Sequence, residues 1–385
     1  MTPQARVQSA IDILDEIIAA ARDAGAAADV IIQRYFRTRR YAGSKDRRAV
    51  RDLVYATIRR AGERPETGRA AMVGLAEGDP ALAALFDGSV HAPSPIVADE
   101  PRAEAAEVPI WLAGNLAGLG LLDRAPLDLR VNRLKASRAD VAIEGAVPTP
   151  HAPDGLRLAE SVQVERLPEY AAGLIEVQDE GSQLVTLACG AEPGMKVVDL
   201  CAGAGGKTLG LAAAMQDRGV IFACDADRAR LSRLAPRAER AGATIVETRL
   251  LDGGREMMAL TDLAGAADLV VVDAPCSGTG TWRRNPEACW RLTPERLARV
   301  TALQSRLLDV AARLVKPGGT LVHIVCSLLD EEGAGQAEAF LARHPGWQAE
   351  PIVLPAGHAR GPGLRLTPSE DGTDGFFVAR LKAPC

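Results

Sequence analysis

Three short stretches of this 385-residue chain carry side chains that could do chemistry. Leu269-Val270-Val271-Val272-Asp273-Ala274-Pro275-Cys276-Ser277-Gly278 is an apolar run ending in an acid and a thiol. Leu321-Val322-His323-Ile324-Val325-Cys326-Ser327 ends in a second thiol, and Val197-Val198-Asp199-Leu200 runs into the glycine-rich Cys201-Ala202-Gly203-Ala204-Gly205-Gly206-Lys207-Thr208. Two thiols and a carboxyl suit the alkylation of a carbon too electron-poor to attack an electrophile unaided. Carbon-5 of a pyrimidine is such an atom. A thiolate adding to carbon-6 turns the ring into an enamine. A carboxyl at ring nitrogen 3 stabilises the adduct, and a base then removes the carbon-5 proton so that the thiol can leave.

The glycine-rich stretch supplies the electrophile. It is not a phosphate-binding P-loop, because Cys201 stands where that motif needs its first glycine. Nor is it a dinucleotide fingerprint, because Thr208 replaces the third glycine. An acid at a strand end followed by Gly-x-Gly-Gly is the opening of an S-adenosylmethionine (SAM) pocket, in which glycine lets the backbone approach the amino-acid part of the cofactor. Asp225 closes the next predicted strand twenty residues after Gly205, placed to accept both ribose hydroxyls.

These residues converge only if an open parallel sheet carries them, because ligands of such sheets sit at the carboxyl ends of the strands. From Gln178 onward the chain alternates apolar runs with helical periodicity as that fold requires. The predicted strands are 196–200, 220–225, 244–248, 268–273 and 320–325, and the predicted helices are 207–215, 228–241, 294–315 and 331–343. Asp199, Asp225, Asp273, Cys276 and Cys326 then share one rim. Upstream, residues 108–177 combine a short helix (110–122) with strand-like runs at 127–131, 156–158 and 162–164, which predicts a small α+β domain. Residues 1–88 show helical spacing throughout, with Ser44 as the N-cap of a third helix. The proline-rich stretch 89–107 between them predicts a linker.

Composition narrows the function. The net charge of −5 excludes a uniformly basic coat, yet residues 34–60 hold ten basic side chains against Asp46 and Asp52, interleaved with Tyr35, Phe36, Tyr41 and Tyr55. That stretch predicts phosphate contact, and Arg283, Arg284 and Arg291 with Trp282 and Trp290 are expected to hold RNA near a flipped base. Seven cysteines without a C-x-x-C pair suggest free thiols and no zinc site. Cys189, Cys224, Cys289 and Cys385, and with them Cys201, read as small buried hydrophobes. The histidines lack ligand spacing, so no metal is expected. No apolar run is long enough for a membrane span and no signal peptide opens the chain, which predicts a cytoplasmic protein; it is read as a monomer.

On these motifs the sequence resembles the Fmu/RsmB/Sun-type ribosomal RNA cytosine-5 methyltransferases. The resemblance rests on residues 201–208, Asp-Ala-Pro-Cys-Ser-Gly-Thr-Gly (273–280), Val-Cys-Ser (325–327) and Asp-Gly-Phe-Phe-Val-Ala-Arg-Leu (374–381). With Arg130-Val131-Asn132 and Val177-Gln178-Asp179 it runs from about residue 108 to 385, in the family's order. It implies that Cys326 is the nucleophile, that Cys276 assists product release, that Asp273 contacts the base and that Lys207 lies in the active site. It further implies SAM contacts from Cys201, Ala202, Gly203, Gly205, Gly206, Lys207, Asp225, Arg230, Asp252 and Asp273. The implied fold is α/β: a Rossmann-like SAM-dependent methyltransferase sheet over 178–385, a small RRM-like domain over 108–177 and an N-terminal NusB-like RNA-binding domain. The implied substrate is 16S ribosomal RNA, with transfer RNA as the alternative. Val325, His323 and Ala204 depart from the family's usual Thr, aromatic residue and Pro. A DNA-type enzyme would use Cys276 alone, leaving Cys326 idle. A non-catalytic RNA-binding assembly factor would leave the SAM pocket unexplained.

Overall fold

The computed structural model describes residues 1–23, 25–159 and 162–385. They form two compact units, one of Met1–Arg124 with Thr281–Thr293 and the other of Ala125–Gly280 with Pro294–Cys385.

The first unit is helical: α1 (Pro3–Arg22), α2 (Ala28–Arg37), α3 (Ser44–Arg60), α4 (Gly68–Ala76), α5 (Pro80–Ala83) and α6 (Ala113–Leu116). In α1 the stripe of Val7, Ala10, Ile11, Leu14, Ile17, Ile18 and Ala21 is buried, as its helical spacing requires. Gly43, not Ser44, is the N-cap of α3, and the Asp46 carboxylate accepts the Gly43 N–H at 3.2 Å in place of a serine cap. The helix expected over 110–122 is only a 3-10 turn (Ile110–Leu112) and α6, because Gly118 and Gly120 take positive φ and end it. Residues 89–107 are not a free linker. Arg69 pairs with Glu100 at 2.6 Å, and the N–H groups of Ala103 and Ala106 donate to the carbonyls of Ala70 and Arg60.

The second unit holds two sheets. The smaller, in the order β2-β3-β1-β4, is antiparallel and comprises β1 (Leu127–Val131), β2 (Ala146–Pro148), β3 (Gly155–Leu158) and, after α7 (Pro168–Ala171), β4 (Ile175–Val177). The strand expected at 162–164 is absent; Val164 instead opens a 3-10 turn to Arg166. After α8 (Glu180–Leu187) the chain builds β5 (Lys196–Asp199), α9 (Gly206–Ala214), β6 (Val220–Asp225), α10 (Arg228–Leu231), α11 (Leu234–Ala241), β7 (Val246–Leu250) and β8 (Ala267–Asp273). It continues through α12 (Pro294–Ala312), β9 (Val315–Val325), α13 (Ala334–Arg343), β10 (Gln348–Glu350), β11 (His358–Arg360), β12 (Gly363–Leu366), α14 (Pro368–Asp371) and β13 (Phe376–Lys382). The helix expected over 228–241 breaks before Leu234, since Pro236 lacks an N–H and clashes with the carbonyl one turn back.

The large sheet has the order β11-β12-β13-β9-β8-β5-β6-β7, with β10 beside β13. Its pairings from β9 to β7 are parallel, whereas β13 runs antiparallel to β9. From β5 the chain moves outward through β6 and β7, then returns to the other flank of β5 with β8. That reversal makes β5 the switch point, where an open sheet leaves a crevice for a ligand. Two apolar clusters cover the two faces, one around Leu184, Leu209 and Leu211, the other around Leu307, Leu308 and Phe340. Polar brackets fasten the small sheet to the large one. Asn132 donates to the carbonyls of Gly173 and Ala241 at 2.9 and 2.7 Å, and Glu176 receives Arg237 and Arg240.

The domain limits expected at 88, 107 and 177 differ from these units. Residues 89–124 pack within the helical unit, 127–177 belong to the same unit as the large sheet, and 281–293 leave the sheet's unit altogether. Apolar periodicity marks elements, but which elements share a core depends on side chains far apart in sequence.

Candidate active site

Strands β5, β6, β8 and β9 end at Asp199, Asp225, Asp273 and Val325, so three carboxylates and the thiol of Cys326 lie along one rim. The turn after β5 takes left-handed backbone at Gly203 (φ 55°) and Gly205 (φ 88°), which side chains resist. A Cβ on Gly203 would also lie 2.5 Å from the Arg230 guanidinium. Asp225 shapes the turn, accepting the N–H groups of Gly203 and Asp227 at 2.7 Å each. Leu251 N–H donates to the Asp225 carbonyl, which brings the neighbouring, exposed Asp252 to the same end of β6. Asp199 accepts the Thr208 hydroxyl at 2.7 Å through one oxygen, and its other oxygen is buried with no hydrogen-bond partner among the described residues. Burial first, then the charges of Asp273 and Asp225, push the Asp199 carboxyl up to about 7.

The two thiols meet. Cys276 Sγ and Cys326 Sγ are 3.3 Å apart. Beside them the Lys207 ammonium, 8 % exposed, is 2.7 Å from Asp273 Oδ2. Burial would lower this ammonium, but the Asp273 charge and hydrogen bond outweigh it and, with the nearby Cys326 sulfur, hold it above its ordinary range. The surroundings of Cys276 act in the opposite sense. Its hydrogen bond to Cys326, its burial and the charge of Glu332 all push the Cys276 thiol well above its usual value. The two sulfurs and the Lys207–Asp273 ion pair thus share one part of the rim.

The loops bearing these thiols are tied behind the rim. Gly280 N–H donates to the Cys326 carbonyl at 3.1 Å, and Gly375 N–H donates to the Gly280 carbonyl at 2.8 Å. A Cβ at Gly280 would meet Gly375 O at 2.0 Å, so glycine is required for this approach. His323 is fully buried; one ring nitrogen contacts the Glu332 carbonyl at 2.9 Å, and burial lowers the imidazole to about 4.

Residues 186–382 match the family model described as 16S rRNA methyltransferase RsmB/F. This chain belongs to the RsmB/F family. A probable ribosomal RNA small subunit methyltransferase B from Synechocystis sp. is 38% identical over 268 residues, covering 66% of this chain and 60% of that protein. The Xylella fastidiosa ribosomal RNA small subunit methyltransferase B is 38% identical over 274 residues, covering 68% of this chain and 62% of its own length. The chain therefore spans about 60% of the length of these curated relatives. Among solved structures, PH0851 aligns with a TM-score of 0.79 at 25% identity over 99% of both chains. A methyltransferase homologue from Pyrococcus horikoshii aligns with a TM-score of 0.59 at 28% identity, over 69% of this chain and 88% of its own.

SAM is the cofactor of this RsmB/F-family chain, and the rim fits it. The unpartnered Asp199 oxygen calls for a cationic donor, which SAM offers in its ammonium group. The glycine turn and Asp225 would border the rest of the molecule, while Cys201 contributes backbone, its half-buried thiol being pushed far up by burial and by Asp199.

Other sequence readings fail. Trp282, Trp290 and Arg283 are buried, and the Trp290 indole donates to the Ala61 carbonyl at 2.6 Å. Arg291 donates to the carbonyls of Gly25 and Ala26, and Glu287 accepts the Ala28 N–H. Residues 281–293 are thus part of the helical unit's framework, and Trp282, Trp290 and Arg283 are buried in it rather than presented to a ligand. Aromatic and basic residues close in sequence look alike whether they face a ligand or a core. Cys189, Cys224 and Cys289 are buried as expected, whereas Cys385 is exposed and Cys201 is only half-buried. The sequence reading assigned nothing to Glu332, Ser277 or Ser327, although a serine follows each thiol. No helix among the described residues is long and apolar enough to cross a membrane.

Proposed function

We propose that this RsmB/F-family protein transfers a methyl group from SAM to carbon-5 of a cytosine in 16S ribosomal RNA, in the cytoplasm, through a covalent adduct to Cys326. The observation that carries this reading is the pair of sulfurs 3.3 Å apart at the ends of β8 and β9, beside the Lys207–Asp273 ion pair.

Cys326, near the ammonium, attacks as the thiolate. Its sulfur bonds to carbon-6, the carbon-5 to carbon-6 π pair shifts into the ring, and nitrogen 3 takes a proton from Lys207. Asp273, held in an ion pair with Lys207, accepts from the exocyclic amino group, so the proton at nitrogen 3 comes from Lys207 and not from the carboxyl that the sequence pattern suggests there. The cofactor supplies the electrophilic methyl group that carbon-5 then bonds. Lys207 recovers the nitrogen-3 proton, and the carbon-5 proton leaves to a water held at Cys276. The carbon-5 to carbon-6 double bond reforms, and the sulfur–carbon bond breaks to restore the Cys326 thiolate. Cys276, kept as a thiol, donates a hydrogen bond to the departing sulfur. The reaction releases one proton. The helical unit acts as a NusB-like RNA-binding module and the small sheet as an RRM-like one. Arg37, Arg40, Lys45 and Arg48 are all exposed and, among the described residues, make no hydrogen bond or ion pair, which leaves them available to phosphates.

The test is adduct trapping. Cys276→Ala with SAM and a 16S RNA fragment should leave a denaturant-stable protein–RNA band, because addition proceeds while release is blocked. Cys326→Ala and the double variant should leave none and transfer no methyl group. Bisulfite sequencing of wild-type product should find one protected cytosine. An adduct that forms with Cys326→Ala would make Cys276 the nucleophile and overturn these roles.

A further inference from the structure

Each thiol is followed by a serine, and both serines end on one buried carboxylate. Ser277 gives Glu332 its hydroxyl and, at 2.8 Å, its backbone N–H. Ser327 gives its hydroxyl at 2.5 Å, and Gln304 its amide at 3.0 Å. The serine oxygens are 3.1 Å apart, and Thr279 Oγ1 lies 3.1 Å from Ser327 Oγ while accepting the Leu328 N–H at 2.9 Å. Gln304 also donates to the carbonyl of Pro275, immediately before Cys276. Glu332, Ser327, Thr279 and Gln304 are all fully buried.

We infer that Glu332 is a positioning residue which sets the separation of the two thiols by joining, through their hydroxyls, the serines that follow them. A buried carboxylate is costly to desolvate, and among the described residues no cation pairs with Glu332, so its four donors must satisfy it. A neutral side chain could fill this space at lower cost. Only an acceptor with two oxygens can take both hydroxyls, the Ser277 N–H and the Gln304 amide at once. The two Cys-Ser pairs come from loops after different strands, β8 and β9, and a register set only by the sheet would leave their tips free to drift. Fixing a loop tip one residue from the sulfur matters because misplacement by about 1 Å can cost about 100-fold in rate. Backbone contacts reinforce the same join from the other side, with His323 held at the Glu332 carbonyl and Gly280 at the Cys326 carbonyl. Glu332 touches no substrate, and its effect on turnover rests on the thiol roles proposed above; its effect on thiol spacing does not.

Spacing can be read without turnover. Diamide oxidises two neighbouring thiols to a disulfide: two S–H bonds break, one S–S bond forms, and the azo group takes up both protons and both electrons. With full-length protein and peptide mapping, wild type should form the Cys276–Cys326 disulfide quickly. Glu332→Ala should slow that bond about 10- to 100-fold. Glu332→Gln, which keeps the shape and one acceptor oxygen, should recover part of the rate. In methylation assays kcat should fall in the same order while KM for RNA and Kd for SAM hold. Disulfide formation at the wild-type rate in a folded Glu332→Ala protein would overturn the inference whatever its activity. Should that variant not fold, Ser277→Ala with Ser327→Ala removes both arms and is judged by the same rate. A wild type that cross-links quickly, slowed by the Glu332 variants but inactive on RNA, would uphold the positioning role and reject the proposed reaction.

Discussion

The rim of the parallel sheet and the basic helices of the N-terminal unit both concentrate charge, and they use it in opposite ways. At the rim Lys207, Asp273, Asp225 and Asp199 are buried or half-buried and fixed to a partner: Lys207 to Asp273, Asp225 to two backbone N–H groups, Asp199 to Thr208. On α2, α3 and the turn between them, Arg34 and Arg51 pair with Glu16 and Asp29, and Arg39 lies over the Tyr35 ring, yet Arg37, Arg40, Lys45 and Arg48 stay exposed. Buried charges shift the protonation of their neighbours and are poorly screened. Exposed ones act at the range of the ion atmosphere and weaken with salt. Chemistry needs the first kind and RNA capture the second.

If that contrast holds, removing a rim charge should be the more damaging change and should be insensitive to salt. Lys207→Met removes the ammonium paired with Asp273 and, with it, the proposed donor to nitrogen 3, and should lower kcat about 100-fold or more. The loss should be the same at low and high salt in single-turnover assays with saturating RNA; a loss that shrinks as salt rises would show Lys207 working as a phosphate contact.

A subtler change at the rim concerns Asp199, whose carboxyl stands at about 7. The raised value means that the protonated form predominates below pH 7, whereas pairing with the SAM ammonium requires the ionised form. SAM affinity measured by calorimetry should therefore hold above pH 7 and weaken by about tenfold per unit below it, with proton release on binding. Asp199→Asn should bind weakly with a flat profile. A wild-type affinity that is flat between pH 5.5 and 8 would remove Asp199 from the cofactor site.

The smallest effect is expected on the helices. Replacing Arg37, Arg40 and Arg48 together by alanine should reduce the salt dependence of RNA binding by about two to three units of log–log slope, if each neutralises one phosphate. SAM affinity should stay at the wild-type value. An unaltered slope would make these side chains a solvated face.

Much of the candidate site's rim was legible because its reactive side chains sit at strand ends. An apolar run that stops at Asp199, Asp225 or Asp273 announces both the strand and the residue at its tip, and the parallel alternation then places the tips together. The final strand, β13, was not placed, since Phe376-Phe377-Val378-Ala379 is buried on both faces and lacks the alternation that marks a half-buried strand. The stretch Trp282–Arg291 misled because composition reports side-chain type and not orientation.

By itself the sequence determined the parallel sheet, the carboxylates at its strand ends, the two thiols and the family, because each of these is encoded in contiguous residues whose local pattern carries the physical signal. Tertiary structure alone decided that the two sulfurs stand 3.3 Å apart, that Lys207 pairs with Asp273, that Glu332 takes the serine after each thiol, and that residues 281–293 belong to the helical unit. The reason is physical: hydrogen bonds and Coulomb interactions depend on separations of a few ångströms between groups that the chain keeps tens of residues apart, and only packing brings those groups within range.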